Sequence, residues 1–384
     1  MPDKLRVGII GRTGKGNYGH GLDAVWADVP QCEVVAVADE HETGRLDANK
    51  RTKAAKAYAD YHEMLDKEKL NIVAVAPRWI DQHREMALAA AAHGCHIYME
   101  KPFVPTLAQA DEVIRACEMR HIKLALSHQT HYTPTNAVVQ KLIAAGEIGD
   151  VLEFRGCGKE DQRGGSEDTW VLGSHILDLM RMFSSYLITS EWSDEAAFQS
   201  GDATSCFATV TSKGQPITAA DVIEGNEGIG PLAGDAVHAR YSFANGVVGT
   251  FDSVRDKAGS PSRFALQILG SRGVIELSTG YLAPVWLLKD ASWSPGRSGA
   301  KWQPVTSQGV GVPETLKGDG LHAGNVAAVN DLLDAIDKDR QPLCSMYAGR
   351  AVVEMIAAIF ESQRVGGPVS LPLTRRENPL TALK

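Results

Sequence analysis

The chain reads as an α/β protein that begins with a doubly wound parallel sheet and continues into a β-rich second half. Two patterns carry this. Up to about residue 127, short apolar runs alternate with helix-length segments, whereas from about Asp150 strand-like runs dominate. A third observation bounds the size: 384 residues, 44% hydrophobic and 22% charged, have ordinary globular composition and enough apolar surface for two domains.

Taken in order, Leu5 to Ile10, Glu33 to Ala38, Ile72 to Ala76, His96 to Met99 and Lys123 to Leu126 are the apolar runs of the first part. Helix-length gaps between them predict parallel strands joined by helical crossovers. Thr106 and Gln109 have capping-box spacing, with Leu107, Ala110, Val113, Ile114 and Cys117 on one helical face, and Gly94 ends the preceding Ala-rich helix. Val151 to Cys157, Cys206 to Thr211, Ala236 to Phe243, Val247 to Val254, Phe264 to Leu269 and Val274 to Leu277 predict a meander. Asn245-Gly246 predicts a type I′ hairpin turn within it. Two helices follow, one with Val326, Val329, Leu332, Leu333 and Ile336 on a face, the other with Val352, Val353, Ile356, Ile359 and Phe360. The stretches Gly225 to Gly234 and Ser292 to Gly320 read as long surface loops. The expected division is 1–127 for a dinucleotide-binding domain and 128–384 for a substrate-binding and oligomerisation domain.

A net charge of -8 disfavours nucleic acid and anionic membrane as partners. Six scattered cysteines include no CxxC pair and no zinc spacing, so no metal is expected and the thiols read as buried ones in a reducing cytoplasm. No stretch reaches roughly 18 uninterrupted apolar residues, and the N-terminus lacks a signal-peptide pattern.

Gly14-Lys15-Gly16-Asn17-Tyr18-Gly19 follows the first strand and precedes a helix expected at His20 to Ala27. In that context GxGxxG is a dinucleotide fingerprint, because glycine lets backbone approach a pyrophosphate and helix amides meet its charge. Asp39, at the end of the second strand, is suited to the ribose hydroxyls of NAD and opposes the extra phosphate of NADP. Gly11-Arg12-Thr13 lengthens the loop, so Gly11 is an alternative anchor. Gly16 is expected where backbone and pyrophosphate nearly touch.

Met99-Glu100-Lys101-Pro102-Phe103 after a parallel strand, with Gly173-Ser174-His175-Ile176-Leu177-Asp178-Leu179-Met180-Arg181 farther on, resembles the Gfo/Idh/MocA oxidoreductases. Ile148-Gly149-Asp150-Val151 and the pattern from Ala348 to Leu373 extend the likeness over nearly the whole chain. The resemblance implies an N-terminal Rossmann domain and a C-terminal α/β domain with an open, largely antiparallel sheet. It further implies a homodimer or homotetramer and NAD-linked chemistry on a sugar or polyol hydroxyl or its ketone, in a cleft between the domains. Lys101 corresponds to the lysine between nicotinamide and substrate, and His175 to the proton-relay histidine; a carbinol that gives up hydride must also lose its hydroxyl proton. Cofactor contacts are expected from Gly11, Thr13, Gly14, Gly16, Tyr18, Gly19, Asp39, Pro77, Arg78, His83, Glu100 and Lys101. Substrate contacts are expected from Gln129, His131, Lys159, Asp168 and His175, with Glu160, Asp161 and Arg163 as further candidates.

The sequence departs from that family at Val171, where many members carry the aspartate that orients the histidine. Asp168, or Glu167 beside it, is the expected substitute. Two other readings stay open: an NAD-dependent glycosidase working by transient oxidation and elimination, and a non-catalytic NAD- or sugar-responsive regulator.

Overall fold

The five apolar runs form the parallel strands β1 (Leu5–Ile10), β2 (Cys32–Ala38), β4 (Ile72–Val75), β5 (His96–Met99) and β6 (Leu124–Leu126), and a sixth strand that the pattern did not predict, β3 (Lys56–Tyr58), joins them. Their order is β3-β2-β1-β4-β5-β6. Ile9, Val37, Val73, Ala74 and Ile97 are wholly buried, as a parallel sheet covered on both faces requires. The strand order reverses between β1 and β4, and in such sheets ligands bind beyond the carboxyl ends at that point. The computed structural model describes residues 4–189, 201–318 and 320–384. They divide into two compact units, Met1–Gln129 with Asn226–Gly230 and Leu321–Arg350, and Thr130–Gly225 with Pro231–Gly320 and Ala351–Lys384.

Helices α1 (Glu42–Thr52), α2 (Tyr61–Lys67), α3 (His83–Ala92) and α4 (Leu107–Glu118) connect the strands. Thr106 caps α4 by accepting the Gln109 amide at 3.3 Å, and the predicted apolar face is buried. The helix expected at His20 to Ala27 is not formed. Gly19 and Gly21 both have positive φ, +61° and +86°, so the chain runs in turns until a single 3-10 turn at Val25–Asp28.

The second unit begins with α5 (Thr135–Ala144). Its strands are β7 (Val151–Cys157), β8 (Ala203–Ser212), β9 (Gln215–Pro216), β10 (Ile223–Glu224), β11 (Pro231–Leu232), β12 (Ala236–Phe243), β13 (Val248–Val254), β14 (Ala265–Gly270), β15 (Gly273–Ser278), β16 (Val285–Leu288), β17 (Gln303–Thr306), β18 (Gly309–Val310) and β19 (Val369–Ser370). The main sheet runs β18-β17-β16-β15-β14-β7-β13-β12-β8-β19, with β9 on β8. It is largely antiparallel but is no simple meander. β7 enters between β13 and β14, parallel to the former and antiparallel to the latter. A helical turn at Ser166–Asp168 and a π-helical turn at Thr169–Gly173 lead into α6 (Ser174–Thr189), which packs on this sheet.

Other local expectations change too. At Asn245-Gly246 only the glycine has positive φ, +83°, so the turn is not type I′. Gly246 N bonds Phe243 O at 3.0 Å and Phe243 N bonds Val247 O at 3.1 Å, the pattern of a type I turn closed by a left-handed glycine. Ser292 to Gly320 is not a bare loop: it contains β17, β18 and a short helix at Pro295–Ser298, with Trp293 Nε1 tied to Gly270 O at 2.8 Å. Gly225 to Gly234 likewise contains a 3-10 turn and β11. The last two helices are α7 (Leu321–Asp337) and α8 (Met346–Val365). α7 belongs to the first unit, packed against β6 and the Val25–Asp28 turn. Among the described residues no helix is long and apolar enough to cross a membrane. None of the six cysteines, all among the described residues, forms a disulfide; five are buried and Cys157 is half-buried.

Candidate active site

The glycine loop folds on itself. Arg12 N bonds Asn17 O at 2.9 Å and Asn17 N bonds Arg12 O at 3.0 Å, so the residues that lengthen the loop form a tight hairpin. A Cβ on Gly11 would lie 2.2 Å from the Tyr18 ring, and one on Gly19 would lie 2.5 Å from Ala76 O and 3.2 Å from the Glu100 carboxyl carbon. At Gly16 it would lie 2.3 Å from Arg78 N. The space expected for a pyrophosphate beside Gly16 is therefore filled by the Arg78–Trp79 backbone, and Gly16 serves loop packing. Gly14, with φ +83°, has nothing within 4 Å of its Cβ position. Tyr18 is buried beneath the Arg51 guanidinium, 5.3 Å from its ring centre, and burial followed by the Asp39 charge pushes its phenol far above the ordinary range.

Asp39 ends the second strand, only 2% exposed. Its carboxylate accepts Thr13 N at 3.1 Å, Thr13 Oγ1 at 2.7 Å and His41 N at 3.0 Å, so its first task is to anchor the hairpin. Beside it a cavity of about 330 Å³ opens between the ends of β1 and β2, lined by Gly11, Arg12, Asp39, Glu40 and Asp60 among others. Arg12 is neutralised there by Asp81, at 2.7 and 2.8 Å from the two carboxylate oxygens. Arg45 is committed to the Asp39 carbonyl at 2.7 Å.

At the end of β5, Glu100 is wholly buried and Lys101 is 4% exposed. Burial opposes ionisation of Glu100, but the His20 charge and hydrogen bond, the Lys101 charge and the Ser127 hydroxyl together bring its pKa below the usual value. His83 is also fully buried. Its Nε2 faces Pro77 O at 2.7 Å and its Nδ1 faces Phe103 O at 2.9 Å, so it clamps the loop after β4 to the loop after β5 and does not present a ring edge to a ligand. Arg78 is half-exposed, 3.7 Å from Glu227. Gln129, expected to face substrate, donates its amide to Asn325 Oδ1 at 3.0 Å instead.

In the second unit His175 occupies the first turn of α6, half-buried, with Val171 in the π-helical turn before it. Asp168 is wholly buried; its Oδ2 accepts Ser253 Oγ at 2.6 Å and Glu160 N at 3.1 Å, and burial raises its pKa. Those bonds turn it toward β13, and the expectation that it orients His175 is not met. His131 Nδ1 lies 3.0 Å from Asp178 Oδ2, a buried pair. Lys159 Nζ lies 3.6 Å from Asp161, whose pKa is lowered to about 2 chiefly by its hydrogen bond with Arg163. Glu160 is buried, accepting Val254 N at 3.1 Å and pairing with Arg263. A cavity of about 830 Å³ lies on the sheet, lined by Arg155, His238, Asp252, Arg263 and Glu276 among others; of the expected substrate residues, Glu160 borders it.

Sequence reasoning missed His20, Ser127, Asn325 and Asp178 as site-building residues. Asp178 stood in the quoted motif three residues after His175, on the same helical face. His20 directly follows the fingerprint.

A dinucleotide-type sheet whose fifth strand ends on Glu100-Lys101, with a second unit built on a largely antiparallel sheet, is the architecture of a nucleotide-binding protein. The profile for the oxidoreductase family's NAD-binding Rossmann fold matches residues 5–128, and that for its C-terminal alpha/beta domain matches residues 140–371. The chain belongs to the Gfo/Idh/MocA oxidoreductase family. Levoglucosan dehydrogenase of Pseudarthrobacter phenanthrenivorans is 27% identical over 71% of this chain and 73% of its own. A glycosyl hydrolase family 109 protein of Streptomyces coelicolor is 30% identical over 40% of this chain and 33% of its own. A levoglucosan dehydrogenase structure in complex with NADH and levoglucosan superposes with TM-score 0.71 at 21% identity, covering 96% of this chain and 100% of that one.

Proposed function

We propose that the enzyme transfers hydride between NAD(H) and a secondary hydroxyl, or the corresponding ketone, of a sugar or related polyol. The observation that carries the reading is the buried Lys101 beside the ionised Glu100 at the carboxyl end of β5, in a unit matching the NAD-binding profile. Lys101 hydrogen-bonds the reacting oxygen and His175 accepts the hydroxyl proton, which must leave for a carbonyl to form. When bound, the nicotinamide supplies the hydride acceptor. The cavity beside Asp39 suits the adenosine end of the cofactor, and the carboxylates of Asp39, Glu40 and Asp60 along it oppose a 2′-phosphate, favouring NAD over NADP. Gly14 is the loop glycine left open to a pyrophosphate, and Pro77 and Arg78 lie on the loop at the end of β4. The chemistry of the levoglucosan dehydrogenase relative makes anhydrosugars the first substrates to try. The same reading pairs the polar face of the second unit's sheet with a second copy in a dimer or tetramer.

The test is a panel of anhydrosugars, aldoses, inositols and uronates assayed for NADH formation, with Lys101→Met and His175→Ala as controls. Turnover lowered roughly 10² to 10⁴-fold in both variants, with NADH binding retained, supports the assignment. Undiminished turnover in either overturns that residue's role. The glycosidase relative favours a second reading. Glycoside cleavage without net NADH would establish it in place of the first.

A further inference from the structure

Glu100 has no access to water, yet both of its carboxylate oxygens are engaged: Oε1 with His20 Nδ1 and Oε2 with the Ser127 hydroxyl, which is also wholly buried. A carboxylate accepts only, so the His20 proton on that side sits on Nδ1 and Ser127 donates. The pair is built in from three directions. Gly19 leaves room for the carboxyl, since its Cβ would stand 3.2 Å from the Glu100 carboxyl carbon. The His20 carbonyl accepts Asn325 Nδ2 at 2.9 Å, and Asn325 Oδ1 is held by Tyr98 Oη at 2.8 Å and Gln129 Nε2 at 3.0 Å. The His20 side chain stays 29% exposed while Glu100 is sealed beneath it.

We propose that His20 is a positioning residue for Lys101: its ring N–H holds the buried Glu100 as a carboxylate, and that carboxylate keeps the adjacent lysine an ammonium. This rests on Lys101 acting on the reacting oxygen as proposed above. A buried lysine tends to shed its proton, and a neighbouring buried negative charge prevents that. The ionisable groups coupled to Glu100 are His20, Lys101, His83 and Tyr98. His20 gives the carboxylate one hydrogen bond, and Ser127 gives another.

The decisive variant is His20→Leu, which removes the donor, with His20→Asn, whose amide can replace Nδ1–H, as its rescue. Infrared difference spectra between pH 6 and 8 should show a protonated buried carboxyl in His20→Leu that is absent from the wild type, from His20→Asn and from His20→Leu/Glu100→Gln. Turnover of His20→Leu should fall at least tenfold at pH 7 and recover as pH rises and Glu100 ionises, whereas His20→Asn should follow the wild-type profile. If His20→Leu does not fold, Ser127→Ala removes the other donor and should move the spectra and the pH profile the same way. A spectrum without the carboxyl band, or a loss equal at every pH, overturns the inference. Undiminished turnover in Lys101→Met would instead overturn the reading of Lys101, and the infrared result would still decide the His20–Glu100 part.

Discussion

Alanine at Gly16 and alanine at Gly14 make a matched pair that separates backbone strain from packing. The two glycines have nearly the same φ, +83° and +85°, so each variant carries the cost of an L-residue in the left-handed region, about 1–2 kcal/mol. At Gly14 nothing lies within 4 Å of the new Cβ, and the cost stops there. At Gly16 the Cβ would stand 2.3 Å from Arg78 N and 2.5 Å from Trp79 N; ordinary contact begins near 3.4 Å, so that backbone must retreat by about 1 Å. Overpacking of this kind adds about 1–3 kcal/mol. Gly16→Ala should therefore be about 1–3 kcal/mol less stable than Gly14→Ala, read as the difference in urea midpoint multiplied by a shared slope. NADH affinity of Gly16→Ala should fall with it, because the displaced segment carries Pro77 and Arg78. Coincident unfolding curves for the two variants would refute the reasoning.

Asn325→Ala strips partners from Tyr98 Oη, Gln129 Nε2 and the His20 carbonyl, so a loss of about 3 kcal/mol is expected by denaturant titration, and one below about 1 kcal/mol would contradict the network. Burial lowers the His83 pKa against the pull of its carbonyl partners, so the unfolded chain takes up a proton at higher pH than the folded one. Stability should thus decline as pH falls below about 6.5, by at most about 1.4 kcal/mol per pH unit, and His83→Gln should flatten that dependence in thermal unfolding across the same range. Asp39→Ser should free the Thr13 loop and remove one of the charges facing a 2′-phosphate, so calorimetry should find NAD bound more weakly and its advantage over NADP narrowed. A wild type that prefers NADP would contradict the assignment.

Five of the parallel strands were legible because each is a short apolar run, and β1 and β5 begin and end where the pattern places them, whereas the exposed three-residue β3, Lys56–Tyr58, offers no such run and was missed. The helix after the fingerprint was not, because two positive-φ glycines two residues apart deny it a start until Val25. Insertion of β7 beside β13 was hidden for another reason: pairing Glu153 with Val248 is a choice of topology that local pattern does not encode. The candidate site divides in the same way. Lys101, His175 and Asp39 announce themselves by motif. The bonds that fix Glu100 and Gln129 reach residues 80 and 196 positions away, and no periodicity reports such pairs.

Helix α7 makes the nucleotide-binding unit a product of widely separated stretches of the chain. β6 is the edge of the parallel sheet, and its outer side is met by the segment around Cys344 and Ser345, through Leu126 N to Cys344 O at 2.9 Å and the Ala125–Ser345 bridge. On the ribosome, the last strand of that sheet, β6, emerges roughly 200 residues before α7, about 10–40 s at 5–20 residues per second. Throughout that interval the edge of β6 is open and Tyr98 and Gln129 wait for Asn325. A nascent chain cut short before α7 should therefore be held by chaperones, while release of the full-length chain should coincide with closure of this sheet.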